Sequence, residues 1–444
     1  MKIEQLYTNC LAQGAYFIES DGEAAVIDPL REIDTYLKLA EENGAGIKYI
    51  FETHFHADFV SGHIALAEAT GATIVYGPNA QTKFKAHIAQ DEEVFDIGRL
   101  HIKLLHTPGH TLESSCYLLE DEQRKPAAVF TGDTLFIGDV GRPDLAQQPV
   151  AGLTQEHLAG MLYDSLRKKI ITLPDEIRVY PAHGAGSACG KNLSRETWDT
   201  LGNQKKYNYA LNAALSREDF ITELTADLKP APAYFPMNAR LNSEGYTSPG
   251  LIKPLNAPEF AKLNQNNDVL ILDTRPPESF AAGHITGAIN IGLNGSFAPW
   301  VGALLPYDKP ILLIAEQGRE QETITRLSRI GYDNVLGYLT ENIETIEEVK
   351  QITVSEFLQL DKKGLKVIDV RNESEYEAGA IAGAINCPLG GFDKFKELPN
   401  DAWTYYVYCA GGYRSMIFIS LLKAYHKINL INIEGGYTAL KPNL

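Results

Sequence analysis

Through the first half of the chain, short apolar runs recur, and each gives way to a polar or glycine-containing turn. Residues 24–27 (AAVI), 48–51 (KYIF), 73–76 (TIVY), 102–105 (IKLL) and 127–130 (AAVF) read as strands, because bounded runs this short suit buried strands better than helices. Helical stretches lie between them, so the alternation predicts an α/β arrangement. The pattern fades across 230–249, where Pro230, Pro232, Pro236 and Pro249 crowd together. That stretch reads as an interdomain linker, set at 236–255. Further on, residues 273–290 (DTRPPESFAAGHITGAIN) return without a gap as 369–386 (DVRNESEYEAGAIAGAIN), an offset of 96 residues. The period is domain-sized and too long for a solenoid repeat. Two tandem α/β domains are therefore expected, over 256–347 and 348–444, behind a first domain of 1–235.

Residues that carry chemistry sit just past the strands. The run 48–51 leads into THFHADF, in which His54, His56 and Asp58 alternate along extended chain and so can converge. His110 follows in TPGH, Asp133 in TGDT and His183 in YPAHG. Imidazole and carboxylate together suit zinc or iron. An isolated HxH would be an ordinary pair of polar loop residues, but four such motifs placed after strands point to one metal centre. His63, His87, His101, His106, His157, His284 and His426 are read as surface or packing residues. Arg142 and Asp144 either shape a pocket or form a structural ion pair. Cys189, six residues after His183, reads first as a small buried residue, with a thiol close to the metal as the alternative.

A second constellation lies near the C-terminus. The strand-like run 405–408 (YYVY) feeds Cys409-Ala410-Gly411-Gly412-Tyr413-Arg414-Ser415 and then an apolar helix. Gly411 and Gly412 let backbone N–H groups curl toward the sulfur, the helix N-terminus faces it, and Arg414 and Tyr413 flank it. The charge of Arg414 and the helix end both favour a thiolate or persulfide anion. In the other copy the equivalent loop, beginning near Glu316, holds no cysteine.

Composition narrows the partners. A net charge of −17 argues against a general nucleic-acid binder, which needs a basic surface. Five scattered cysteines do not form a disulfide framework, and Cys10, Cys116 and Cys387 are taken as packing residues. No apolar run is long enough to span a membrane, and the N-terminal residues lack the plan of a signal peptide. A cytoplasmic homo-oligomer acting on small molecules is expected.

Residues 1 to about 230 resemble the metallo-β-lactamase fold, most closely its glyoxalase II and persulfide dioxygenase branch. The resemblance implies an αββα sandwich with the metal at one edge. Dizinc hydrolases of that fold carry HxHxDH, and here the last histidine position is Phe59. That departure favours a single ion. The dioxygenase branch implies one Fe(II) held by His54, His110 and Asp133, with zinc as the alternative, and His56, Asp58 and His183 orienting them. The C-terminal copy resembles a rhodanese domain, with Cys409 and Arg414 catalytic. The central copy resembles a degenerate one. Together they imply oxidation of a low-molecular-weight thiol persulfide by O2 to sulfite, coupled through Cys409 to thiosulfate formation in sulfide detoxification. Rival expectations are a thioester hydrolase, a nuclease of the same fold, and a non-enzymatic sulfur carrier or sensor.

Overall fold

The computed structural model describes residues 1–145, 153–228, 230–247, 250–266, 268–341, 347–361, 363–395, 403–426 and 428–443. It divides into two units, Met1–Ser248 with Ser328–Gly331, and Pro249–Leu327 with Tyr332–Leu444.

The first unit is built on two six-stranded sheets. One runs in the order Lys2–Thr8, Gln13–Ser20, Glu23–Ile27, Gly46–Phe51, Thr73–Tyr76, His87–Ile88. The other runs Asp199–Thr200, Arg178–Pro181, Pro126–Gly132, Ser115–Glu120, Leu100–His106, Val94–Ile97. The runs expected as strands all fall inside these elements. They read as continuous apolar sequence because both faces are covered. Successive side chains point to opposite faces of a strand. Ile18, Ile27, Phe51 and Val75 therefore meet Phe95, Tyr117 and Phe130 of the other sheet. Their neighbours Phe17, Val26, Ile50 and Ile74 pack outward with Tyr36 and Leu39 of helix Asp34–Glu42 and Leu66 of helix His63–Thr70. On the far side, Leu118, Val129 and Val179 are covered by helices Gln155–Ser165 and Arg217–Thr225. The layers are helix, sheet, sheet, helix. Each fully buried Phe, Ile or Val adds roughly 1.5–3 kcal/mol.

One expectation is corrected here. The segment read as a linker holds helix Phe235–Glu244, which belongs to the first unit. Pro236 lies in its first turn, where a missing N–H costs nothing and the fixed φ suits a helix. Prolines crowded there start a helix as well as loosen a chain.

The second unit contains two five-stranded parallel sheets of identical order. The first is Pro254–Leu255, Val335–Leu339, Ile311–Ile314, Leu270–Asp273, Ile289–Asn290. The second is Lys350–Ile352, Asn429–Ile433, Thr404–Tyr408, Lys366–Asp369, Ile385–Asn386. The sequence repeat is explained by what its residues hold. Arg275 forks onto Asp273 and donates to the Gly283 carbonyl, while Arg371 does the same to Asp369 and Gly379. Asn290 and Asn386 each bridge two carbonyls of the same turn. Among the described residues no helix is long and apolar enough to cross a membrane.

Candidate metal centre and sulfur site

In the first unit the ends of Gly46–Phe51, Leu100–His106, Pro126–Gly132 and Arg178–Pro181 deliver the predicted residues to one edge of the sandwich. Asp133 is the hub. Its Oδ2 lies 3.8 Å from His54 Nε2 and 3.4 Å from His110 Nε2, and its Oδ1 lies 3.6 Å from His183 Nε2. The other nitrogen of each ring faces protein oxygen: His54 Nδ1 is 2.9 Å from Thr53 Oγ1, His110 Nδ1 2.7 Å from the Arg142 carbonyl, and His183 Nδ1 3.3 Å from the Ala12 carbonyl. A donor N–H on Nδ1 leaves Nε2 with its lone pair aimed at Asp133. Burial, reinforced by the neighbouring His56, His110 and His183, holds the His54 pKa well below the ordinary value, so its ring is neutral and able to ligate. Gly132, at φ +52, brings the strand end so close to Thr53 that a Cβ would lie 2.6 Å from that side chain.

The residues present fit a cation. Both Asp133 oxygens, Asp58 Oδ1 and His183 Nε2 are buried with no hydrogen-bond partner among the described residues. Leaving such groups unpaired costs several kcal/mol. Donors each roughly 2.1 Å from a shared ion stand about 3–3.5 Å apart, near the separations seen. Two sets with no residue in common, His54–His110–Asp133 and His56–Asp58–His183, are linked by a third, Asp133–His183–Cys189, which takes a residue from each.

Cys189 joins the second edge of this cluster. It is buried, as read first, and its sulfur also lies among the ligand atoms of Asp133 and His183. Burial first, then the Asp58 and Asp133 carboxylates, push its thiol pKa well up. Arg142 and Asp144 are the structural pair, joined through two contacts of 2.6 Å. Arg142 N–H also donates to the Cys189 carbonyl and its Nη1 to the Ala188 carbonyl, so the pair braces the loop carrying the thiol.

Two contributors escaped sequence reading. Asn242, in the unexpected helix, donates to the His56 and Phe59 carbonyls at 2.7 and 2.8 Å and accepts from Ser61 N–H. Glu52, fully buried before the metal loop, lies 3.5 Å from His56 Nε2. Burial disfavours a charged His56, yet Asp28 and Glu52 outweigh it and raise its pKa to about 9. His63, expected to pack or lie at the surface, is buried with Nδ1 3.6 Å from the same Glu52. Cys10 is exposed, contrary to the packing role expected of it, whereas Cys116 and Cys387 are buried.

In the second unit, Cys409 Sγ accepts the Gly412 N–H at 3.0 Å, and the helix Tyr413–Tyr425 starts immediately after. The loop is pinned behind by Tyr437 and Thr438 N–H groups donating to the Cys409 and Ala410 carbonyls. Arg414 is not a bare charge beside the sulfur, as expected. Its two terminal nitrogens donate to Glu375 at 2.7 and 2.8 Å. Tyr413 Oη donates to the Gly292 carbonyl at 2.8 Å. A cavity of about 590 Å³ opens beside the loop, lined by Gly411, Gly412, Tyr413 and Asn432 and by Gly292 and Asn294 of the central copy.

In the central copy, strand pairing aligns Asp273 with Ile314 as it aligns Asp369 with Tyr408, so Ala315 occupies the place of Cys409. Counting on, Glu320 stands for Arg414, and the 96-residue offset puts Ser279 where Glu375 stands. Arg319 is taken up by Glu316 and Glu322. Nucleophile, cation and its anchor are all absent there.

Comparison with known proteins follows the same division. Residues 9–183 match the metallo-beta-lactamase superfamily, and residues 256–346 and 353–443 each match the rhodanese-like domain. A hydroxyacylglutathione hydrolase of Francisella philomiragia is 32% identical over 223 residues, 50% of this chain and 78% of that protein. A solved metallo-beta-lactamase from Staphylococcus aureus is 34% identical, with a TM-score of 0.66, covering 76% of this chain and 98% of that one. The structure of ETHE1 from Myxococcus xanthus is 31% identical, with a TM-score of 0.47, covering 55% and 98%.

Proposed function

Because this chain belongs to the metallo-beta-lactamase superfamily and continues into two rhodanese-like domains, we propose that it is a persulfide dioxygenase coupled to a sulfurtransferase. The single observation that carries the reading is the pairing, on one chain, of a His54–His110–Asp133 donor set with a loop that points an N–H at Cys409 Sγ. An iron ion held by those three residues would supply open coordination positions at which O2 and an anionic sulfur can meet.

The rest belongs to the protein. Thr53 and the Arg142 carbonyl fix the His54 and His110 rings, and Asp58 and His183, 3.3 Å apart, form a polar wall on the far side of Asp133. Phe59 stands where a dizinc hydrolase has another histidine. The net first reaction is RSSH + O2 + H2O → RSH + HSO3⁻ + H⁺, with R a low-molecular-weight thiol. In the second, the Cys409 thiolate attacks the outer sulfur of another RSSH, the S–S bond of that molecule breaks to release RSH, and Cys409 holds the sulfane sulfur as a persulfide. Sulfite attacks the outer sulfur, the S–S bond breaks, and thiosulfate leaves with Cys409 restored as thiolate. The Gly412 N–H and the helix end offset the negative charge on Sγ throughout.

The hydrolase relatives favour a second reading, metal-dependent thioester hydrolysis. One pair of measurements separates them. The dioxygenase reading expects about one iron per chain and oxygen uptake on addition of a thiol persulfide. A tightly held zinc pair with no oxygen uptake, alongside anaerobic turnover of a glutathione thioester, would replace it with the hydrolase.

A further inference from the structure

The central copy has no nucleophile of its own, yet one of its turns reaches the Cys409 loop. At strand Ile289–Asn290 the Asn290 N–H donates to Ser420 Oγ at 2.9 Å, and just beyond it the Gly292 carbonyl accepts from Tyr413 Oη at 2.8 Å. Ser420 and Tyr413 both lie on helix Tyr413–Tyr425, which begins directly after the glycine whose N–H meets the sulfur. Gly295 lets the Tyr413 ring seat on the turn, since a Cβ there would lie 2.3 Å from ring atom Cζ. The turn is thus fastened to the sulfur loop by two hydrogen bonds and a close ring contact.

The same turn carries Asn294 into the wall of the cavity of about 590 Å³ beside that loop. Arg319 Nη1 donates to Asn294 Oδ1 at 2.7 Å. A guanidinium only donates, so this bond fixes which end of the amide is oxygen and leaves the amide nitrogen to donate elsewhere. Counted from Ala315 as from Cys409, Arg319 is the residue that stands for Tyr413. The two loops therefore converge on one turn. The active loop is braced by it, and the inactive loop orients its amide.

Volume decides what the cavity takes. Sulfite and thiosulfate are small ions that would leave most of it empty, whereas pockets of roughly 300–1,000 Å³ hold organic ligands. Of the molecules that meet Cys409, the persulfide donor alone has an organic body. We propose that this turn of the central copy binds the carrier portion of the persulfide that loads Cys409, with Asn294 as a specificity-determining residue. This deepens the reaction proposed above and rests on Cys409 taking its sulfur from RSSH. Asn294 holds the carrier and takes no part in breaking the S–S bond.

The test compares donors that differ in having a carrier. The full chain is assayed anaerobically with cyanide as acceptor and either glutathione persulfide, coenzyme A persulfide or inorganic thiosulfate as donor. The Cys409 thiolate attacks the outer sulfur of the donor, releasing the thiol or sulfite. Cyanide then attacks the outer sulfur of the Cys409 persulfide and leaves as thiocyanate, which is measured with the protein-free rate subtracted. With the organic persulfide that wild type turns over faster, Asn294→Ala is expected to raise KM about three- to tenfold, the loss of one hydrogen bond. Its kcat, and the KM for thiosulfate, should stay within about twofold. Asn294→Trp, which fills the cavity, should raise the organic-donor KM further. If the alanine variant leaves that KM unchanged, or the two donors' KM values move together, the proposal falls while thiosulfate turnover keeps the Cys409 reading standing. Turnover that survives Cys409→Ser overturns the Cys409 reading itself, and the proposal with it. So does a wild type that uses thiosulfate and neither organic persulfide.

Discussion

Asp133 faces three imidazoles and finds no hydrogen-bond partner among the described residues for either oxygen. Such a residue serves binding at the expense of the metal-free fold. Asp133→Ala should therefore abolish stoichiometric metal uptake while making the metal-free protein more stable, by about 1–3 kcal/mol on removal of an unsatisfied buried carboxylate. Metal analysis and denaturant unfolding of the two apo proteins check both signs. An apo variant less stable than apo wild type would show that Asp133 is satisfied without an ion. At the sulfur site, Arg414 holds the Glu375 carboxyl below its ordinary value. A lowered folded pKa gives stability that is present above the ordinary carboxyl range and is lost as pH falls through the lowered value. Wild type should thus exceed Glu375→Gln in stability at neutral pH, the gap closing under acid, as unfolding curves across pH will read. The ligand residues were legible because HxHxD, PGH, GDT and PAHG each follow an apolar strand. Glu52 and Glu375 were not, since a lone acid before a loop or in a helix carries no spacing signal. Setting Glu375 against Ser279 in the repeat was the one available clue.

The elements explain the remaining misses. Strands buried on both faces announce themselves as unbroken apolar runs, so both sheets of the first unit could be read early. Helix Phe235–Glu244 could not, because four nearby prolines look like a chain that never folds, and Asn242 reads as a polar linker residue. Its amide nevertheless bonds two carbonyls of the metal loop, at His56 and Phe59. Asn242→Ala should lower stability by roughly 1–3 kcal/mol through buried carbonyls left unpaired, and should weaken metal retention by letting the loop shift. Thermal unfolding with and without metal tests this. A variant with unchanged Tm and unchanged metal content would reduce the helix to a bystander. Gly436 shows the same dependence on local chain shape beside Cys409: at φ +56, it lets the following turn come so near that a Cβ would lie 2.4 Å from the Cys409 carbonyl.

At the scale of the whole chain, the repeat was read from the residues that brace its turns, the Asp–Arg fork and the bridging asparagine, which both copies keep. The chemistry was kept in one copy alone. Ala315, Glu320 and Ser279 replace Cys409, Arg414 and Glu375, so restoring the thiol with Ala315→Cys in a Cys409→Ser background should not return sulfur transfer. Glu320 would repel a persulfide anion that Arg414 tolerates. The same background tests whether the two halves act in sequence. Tethering two sites raises the effective concentration of a shared intermediate toward the millimolar range. Supplied with a thiol persulfide and oxygen, Cys409→Ser should consume oxygen at the wild-type rate, accumulate sulfite, and form thiosulfate only at the rate at which sulfite and persulfide react without protein. Chromatographic measurement of sulfite and thiosulfate, alongside an oxygen electrode, gives all three readings. Unchanged thiosulfate yield with no sulfite would mean that Cys409 takes its sulfur for some other acceptor, and that the fusion serves something other than this sequence of reactions.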